Sequence, residues 1–437
     1  MRKLFICLIA VILLVSVGCS FPGSTVKLKG DKSVALVVLV DEPNYAISEM
    51  SRAFADKLSE YTGKTVNVES LSEFDGEDSA YAVYIDTVKS DGSNISSSDF
   101  VQDAVSDADD SILIYEGNYE ISFGGSSAYV IAPNEFALYY ALDDFLAEFK
   151  EPSYAVKVGT KELVPCGTDA ITPAQLVDKV GDVQFLFTEY KVTFVKKQND
   201  MDSPGAVLID RYANDIMQGG GTDGKYAYYA LYEDDVSNIY KFDLKSWELV
   251  AVSEELPTGH SNDITYVPEE NVLMVADCTE KDGWAGVYYI DPDTLELLNY
   301  GILPYGCRGL DYSPSLQQYV VTGSYTHNIY DKDFNLIRSF NCGFPRDTTQ
   351  GLCCDGRYIY DARWGQYSSP DYSGDNRLIV HGMEGEFISE GIIKGDPCRG
   401  TSENENVFIY DNRFYVGYFN NLCTVNEYVM VPVNMFE

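Results

Sequence analysis

Residues 218–230 read QGGGTDGKYAYYA, and the plan of this stretch returns four more times toward the C-terminus. Asn262-Asp263 precedes ITYVPEENVLMVA, and Arg308-Gly309 precedes LDYSPSLQQYVVTG. Gln350-Gly351 precedes LCCDGRYIYDA, and Glu405-Asn406 precedes VFIYDNRFYVG. Each copy is a polar pair, a short apolar run, a turn, and a second run rich in aromatics. Successive copies start 44, 46, 42 and 55 residues apart. Outer pairs of strand-like runs lie between them, such as NIYKFDLKSWELVAVS and GVYYIDPDTLELLNYGIL, folded back at DLKS and DPDT. A repeat of roughly 40–50 residues carrying four strands predicts one propeller blade per copy. The expected fold is therefore mainly β: a five-bladed β-propeller over 183–437, preceded by a small α/β domain. Only LCTVNEYVMVPVN is left for the outer part of the fifth blade. Its outermost strand is expected from VQFLFTEYKVTFVKK, ahead of the first blade, which closes the ring and leaves no sheet edge.

Upstream the pattern changes. VALVVLV (34–40) is a continuous apolar run and predicts a buried strand. Ile47, Met50, Phe54, Leu58 and Tyr61 form one apolar stripe at helical spacing, ended by Gly63. TVNVES, AYAVYID and AYVIAP predict further strands. Asn134 caps a last helix whose buried face is Leu138, Ala141, Leu142 and Phe145. Residues 34–150 thus form the α/β domain, and 151–182, with Pro152, Pro165 and Pro173, read as a connector. The order of strand, helix, strands, hairpin and helix, closing in AYVIAPNEFALYYALDDFL, resembles the accessory domain that precedes the catalytic barrel of β-hexosaminidases and α-glucuronidases. No barrel follows here. The resemblance implies a carbohydrate-associated setting and no activity of the domain itself.

The N-terminus reads as an export signal, with Arg2-Lys3 ahead of LFICLIAVILLVSV. Ser16-Val17-Gly18-Cys19 resembles a bacterial lipobox, with Ser16 where Leu is usual. The expectation is a signal peptide over 1–19, lipid on Cys19, and a tether over 20–33. The body would then stand on the extracellular face of the bacterial cell membrane, touching it through lipid alone. The net charge of −37 becomes −39 once Arg2 and Lys3 leave. Such a surface argues against nucleic acid and anionic headgroups as partners. A monomer is expected. Of ten cysteines, Cys7 lies in the signal and Cys19 is the expected lipid site. The remainder, Cys166, Cys278, Cys307, Cys342, Cys353, Cys354, Cys398 and Cys423, show no CxxC spacing. No metal or other cofactor is expected from them, and their pairing stays open.

Alignment of the five copies puts Gln218, Asn262, Arg308, Gln350 and Glu405 at one position, the start of the innermost strand. These five side chains, with His260 and Asp263 beside them, should converge as ligand groups on one mouth of the central channel. They suit a glycan or another small polar ligand rich in hydroxyl or amide groups. A self-satisfied ring with trapped water is the structural alternative. His260, in His260-Ser261-Asn262-Asp263, is a candidate base. His327 and His381 fall in outer strands and read as bystanders. Five-bladed propellers that hydrolyse arabinan or xylan use three pocket carboxylates. Asp263, Glu405 and His260 are the corresponding catalytic candidates here, with Asp311 deeper in its strand, although no motif of those hydrolases is present. Asp223 and Asp355, each before Gly, read as turn formers. The segments QGGGTDGKY, GHSNDITY, TTQG and ENEN are similar to those of a family of secreted propellers from Gram-positive, largely clostridial, bacteria. That similarity implies fold and secretion but brings no defined activity. Three readings follow: a non-catalytic surface lipoprotein that binds a glycan at the mouth, a polysaccharide hydrolase or lyase, and a protein-interaction scaffold.

Overall fold

The computed structural model describes residues 25–26, 35–40, 43–72, 74, 80–87, 118–123, 127–147, 149, 156–157, 160–165, 172–209, 216–281, 284–303, 307–323, 325–342, 347–365, 376–395, 403–419 and 423–437. The signal segment, Cys19, most of the tether, Cys166 and Cys398 lie outside them. No helix among the described residues is long and apolar enough to cross a membrane. The chain divides into Met1–Ile171 with Asn434–Glu437, and Thr172–Val433.

The first unit is built on a six-stranded sheet in the order Val66–Ser70, Ala35–Val40, Ala80–Thr87, Ser127–Ala132, Asn118–Phe123, Thr160–Pro165. The first four strands are parallel and the last two antiparallel. Helix α1 (Tyr45–Thr62) begins where the Asn44 side chain accepts the Ile47 N–H at 2.9 Å, and it ends at Gly63 with φ 69°. Ile47, Met50, Phe54 and Leu58 of its stripe are buried. Helix α2 (Glu135–Ala147) is capped by Asn134. Phe54 meets Phe145 edge-on, and Phe436 of the C-terminal segment stacks on Tyr139. The strand Thr160–Pro165 falls inside the stretch that reads as connector. It is the last strand of the sheet, where a proline costs no ladder bond, so its Pro165 was no sign of a loop.

The second unit is the propeller, mainly β as the repeat predicts. Blade 1 is Ile216–Thr222, Tyr226–Glu233, Val236–Asp243 and Leu249–Val252. Blade 2 is Asp263–Val267, Val272–Lys281, Trp284–Ile290 and Leu297–Leu303. Blade 3 is Gly309–Ser313, Gln318–Thr322, Thr326–Asp331 and Leu336–Asn341. Blade 4 is Asp347–Cys354, Tyr358–Gly365, Arg377–Gly382 and Phe387–Ser389. Blade 5 is Glu403–Tyr410, Arg413–Phe419 and Thr424–Pro432, completed by Val183–Val195 from ahead of blade 1. That closing strand pairs antiparallel from Thr424↔Thr193 to Pro432↔Val183. A buried charge group fastens it. Glu427 accepts from Thr188 at 2.8 Å and pairs with Lys191 at 3.0 Å and Arg413 at 3.3 Å. Burial pushes this carboxyl up, but Arg413 and Lys191 hold it well below its ordinary value. A short helix, α3 (Pro173–Val180), precedes the closing strand, and its Asp178 accepts from Tyr358 at 2.5 Å.

The blades meet through apolar clusters. Tyr228, Ile239, Ile264 and Val275 join blades 1 and 2. Met274, Val287, Leu310 and Val321 join blades 2 and 3. Tyr229, Phe242, Phe408 and Tyr415 join blades 5 and 1. Near the axis the inner strands approach too closely for ordinary side chains. A Cβ on Gly219 would lie 2.5 Å from Ser261 O and 3.0 Å from the Asp263 backbone. One on Gly351 would lie 2.8 Å from Glu405 O. This is why the second member of the polar pair is glycine in blades 1, 3 and 4. In blades 2 and 5 it is Asp263 and Asn406, whose side chains use the room the glycines leave.

Candidate functional site

The first members of the pairs are aimed at the mouth by a local irregularity. The ladder between inner and second strand gains extra residues between Met217 and Gly220, between Thr349 and Gly351, and between Asn404 and Asn406. Gln218, Gln350 and Glu405 therefore sit in β-bulges, which re-aim a side chain out of the ladder. In blades 2 and 3, Asn262 and Arg308 lie just ahead of the strand, each tied by one backbone bond to the second strand. Between His260 and Asn262 stands Ser261 with φ 52°, a left-handed conformation that non-glycine residues rarely adopt. Bonds at 2.8 Å from its hydroxyl to Ser237 and Thr258 hold it there.

His260, Asn262, Arg308, Gln350, Glu403 and Glu405 interact with one another at this end. Gln350 Nε2 donates to the Glu403 carboxylate. Asn262 bonds the His260 ring, and its Oδ1 accepts from Cys278 N at 3.0 Å. The His260 backbone N–H donates to Asp277 at 3.1 Å. Burial pushes Glu403 up to about 7, although Arg308 pulls it down. Burial and the neighbouring Glu403 raise Glu405 well above its ordinary value. Burial, assisted by Arg308, keeps His260 below its own. The mouth thus gathers amides, an imidazole and two carboxyls of raised pKa around one half-buried guanidinium. Gln218 Oε1 and His260 Nδ1 are buried and have no hydrogen-bond partner among the described residues. The repeat does not mark Glu403, because the bulge at Glu405 that brings it to this end is set by packing between blades. The ENEN alternation, with two acids at i and i+2, was its available signal.

Asp263 is a correction. It neither lines the mouth as a ligand group nor stands free for catalysis. Its carboxylate is fully buried on the axis and accepts three backbone N–H groups. These come from Ile264 at 3.0 Å, Leu310 at 2.9 Å and Leu352 at 3.0 Å, spanning blades 2, 3 and 4. Asp311 repeats the device one layer further along, accepting from Thr265 Oγ1 at 2.6 Å and Cys354 N at 2.7 Å. Asn406 bonds Gln218 O at 2.5 Å and joins blade 5 to blade 1. Asp223 and Asp355 are turn formers in the same way as each other. Each accepts two N–H groups of its own turn and one tyrosine hydroxyl, from Tyr228 and Tyr360 respectively. At the far ends of the inner strands all five blades line a cavity of 340 Å³, with Thr222, Tyr266, Tyr312, Cys354 and Ile409 around it.

His327 and His381 are not bystanders. Both are buried between blades 3 and 4, with ring centroids 5.3 Å apart. Cys342, Asp361 and Arg363 are buried beside them. Arg363 Nε donates to Asp361 Oδ2 at 2.7 Å, and His327 Nε2 lies 3.3 Å from the same oxygen. Burial pushes the His327 imidazole down, and Asp361 and Cys342 more than reverse that, to about 9. The sequence signal was present in YDARW. Asp361 and Arg363, two apart on a central strand, must face the same side. Cys278, Cys307, Cys342, Cys353 and Cys354 are free thiols.

No protein-family model and no curated protein matches this chain. Among solved structures it is similar to a hydrazine synthase chain of Kuenenia stuttgartiensis, at 14% identity and TM-score 0.30, over 46% of this chain and 61% of that one. It is also similar to a DUF4221 member from Bacteroides vulgatus, at 10% identity and TM-score 0.35, over 58% of this chain and 99% of that one. A protein of unknown function from Bacteroides caccae matches at 16% identity and TM-score 0.32, over 42% and 69%. The propeller assignment rests on the strand pairing above.

Proposed function

We propose that this chain is a non-catalytic, lipid-anchored protein of the bacterial cell surface whose propeller mouth binds a glycan or glycan-derived ligand. One observation carries the reading. Asn262, Arg308, Gln350, Glu403 and Glu405 interact with His260 or with one another, and buried Gln218 Oε1 and His260 Nδ1 have no protein partner among the described residues. Unsatisfied buried polar atoms cost about 1–3 kcal/mol each, and sugar hydroxyls, which both donate and accept, can satisfy them. The Arg308 guanidinium adds a charged donor for a ring or carboxylate oxygen. The clamping of Asp263 by three N–H groups removes one of the carboxylates a hydrolase would need. The resemblance of residues 34–150 to a glycosidase accessory domain and the lipobox-like Ser16–Cys19 segment agree with this setting.

The detergent-solubilised full-length chain should bind a defined glycan on an array. Arg308→Ala and Gln350→Ala should each weaken that binding by about 10–100-fold, the value of one charge-assisted hydrogen bond. Their melting temperatures should stay close to wild type. Absence of binding to any glycan, or unfolding of both variants, would leave the ring with a structural role only. The anchor has its own test. Wild type should partition into detergent, and Cys19→Ala should be released or accumulate as precursor. Equal partitioning of the two would exclude lipid on Cys19.

A further inference from the structure

The interfaces joining blades 1 with 2, 2 with 3 and 5 with 1 are packed with aliphatic and aromatic side chains. The interface between blades 3 and 4 differs. Val320, Ile329, Leu352, Ile359 and Met383 fill one part of it. The other part holds His327, Cys342, Asp361, Arg363 and His381, with none of them more than 3% exposed. Three potential donor atoms, one each from His327, Cys342 and Asp361, lie within 4.8 Å of one another. Asp361 Oδ1 has no hydrogen-bond partner among the described residues, and the polar partners of the buried His327 ring are Asp361 and Cys342 themselves. Polar groups of this kind sealed in one pocket are costly unless something satisfies them fully.

We infer that His327, Cys342 and Asp361, with His381 as the fourth donor, form a structural divalent-metal site that ties blade 3 to blade 4, and that zinc is its natural ion. Thiolate, imidazole and carboxylate together are the donor set of Zn²⁺, and a spacing of a few ångström between donors is that of a tetrahedral shell. Arg363 has an outer role. By bonding Asp361 Oδ2 it fixes the carboxylate and leaves Oδ1 directed elsewhere, as outer-shell partners of ligating carboxylates do. Thr349 Oγ1, at 3.4 Å from the same Oδ2, supports it further. The four donors come from Thr326–Asp331, the residue just after Leu336–Asn341, Tyr358–Gly365 and Arg377–Gly382, two from each blade. Metal here crosslinks neighbours in the ring. None of its donors is a mouth residue, so the inference stands whether or not the mouth binds sugar. The competing occupant is a proton held between His327 and Asp361, with Arg363 as counter-charge.

The test is loading of the full-length chain with Zn²⁺, then with Co²⁺, followed by metal analysis. Wild type should hold one equivalent of zinc after exhaustive dialysis, and its cobalt form should show a thiolate-to-cobalt charge-transfer band. Cys342→Ser should lose that band and His327→Gln should lose stoichiometric zinc, whereas Cys353→Ser should keep both. Arg363→Gln should weaken zinc binding by about 10–100-fold. If the ligand variants do not fold, chelation of wild type decides. The melting temperature should drop and recover with added Zn²⁺ but not with Mg²⁺. Wild type that retains no stoichiometric zinc, a band that persists in Cys342→Ser, or a melting temperature indifferent to chelation would each overturn the site in favour of the shared proton.

Discussion

At the scale of single residues, equivalent positions of the repeat have divided into two jobs. The first member lies in a bulge or just ahead of its strand, and the second is either absent as a side chain or committed to the frame. Asp263 shows how firm that commitment is. Its two oxygens satisfy the N–H groups of Ile264, Leu310 and Leu352, which belong to three different blades. Burial raises its pKa, and the N–H groups pull it back. Removing the carboxylate orphans all three donors at the centre of the ring. At about 1–3 kcal/mol per unsatisfied group, Asp263→Ala should cost at least several kcal/mol and lower the melting temperature sharply. Arg308→Ala, in the mouth, should not. Chemical denaturation of the two variants checks this contrast. Equal stability of Asp263→Ala and wild type would return Asp263 to the candidate ligand groups.

At the scale of elements, the periodic parts were the legible ones. Five apolar runs behind polar pairs gave the inner strands, and the short tail after Glu405 pointed to Val183–Val195 as the closing strand. The stripe through Phe54 and the cap at Asn134 marked the two helices among the described residues of the first unit. What escaped was set by non-local packing. Bulges at Gln218, Gln350 and Glu405 depend on how tightly neighbouring blades press on the axis, and no local pattern encodes that pressure. Asp263 read as a mouth residue because its position in the repeat is indistinguishable from that of Gly219 or Gly351. Only the pairing across blades separates a filled position from an open one. His327 and His381 read as outer-strand bystanders because strand order alone does not say which face of a blade is covered by the next. The Asp361–Arg363 spacing was the cue that charge had been placed on a covered face.

At the scale of the whole molecule, charge is the property that most needs balancing. The chain carries −37 at neutral pH, and it also buries carboxyls around the axis. Burial lifts Glu403 to about 7 and Glu405 well above its ordinary value. In the unfolded chain both return to ordinary values near about 4.3. Between those two values the folded state binds the proton more tightly, so stability falls as pH rises. Their contribution is complete below the ordinary value and is gone once pH has passed the folded value. Glu427 runs the other way. Held low by Arg413 and Lys191, it adds stability above its ordinary value and loses it only as pH falls toward about 2. The two windows do not overlap. Repulsion among surface carboxylates is fully developed above about pH 6 and is screened by salt. The expected result is a melting temperature that declines between about pH 5 and about pH 8, and keeps declining in high salt. Glu403→Gln should flatten the decline, because it removes the half-buried member of the pair while Glu405 remains. Differential scanning calorimetry across that range tests it. A wild-type curve that rises with pH, or a Glu403→Gln curve parallel to it, would show that the mouth carboxyls do not carry the raised values assigned to them.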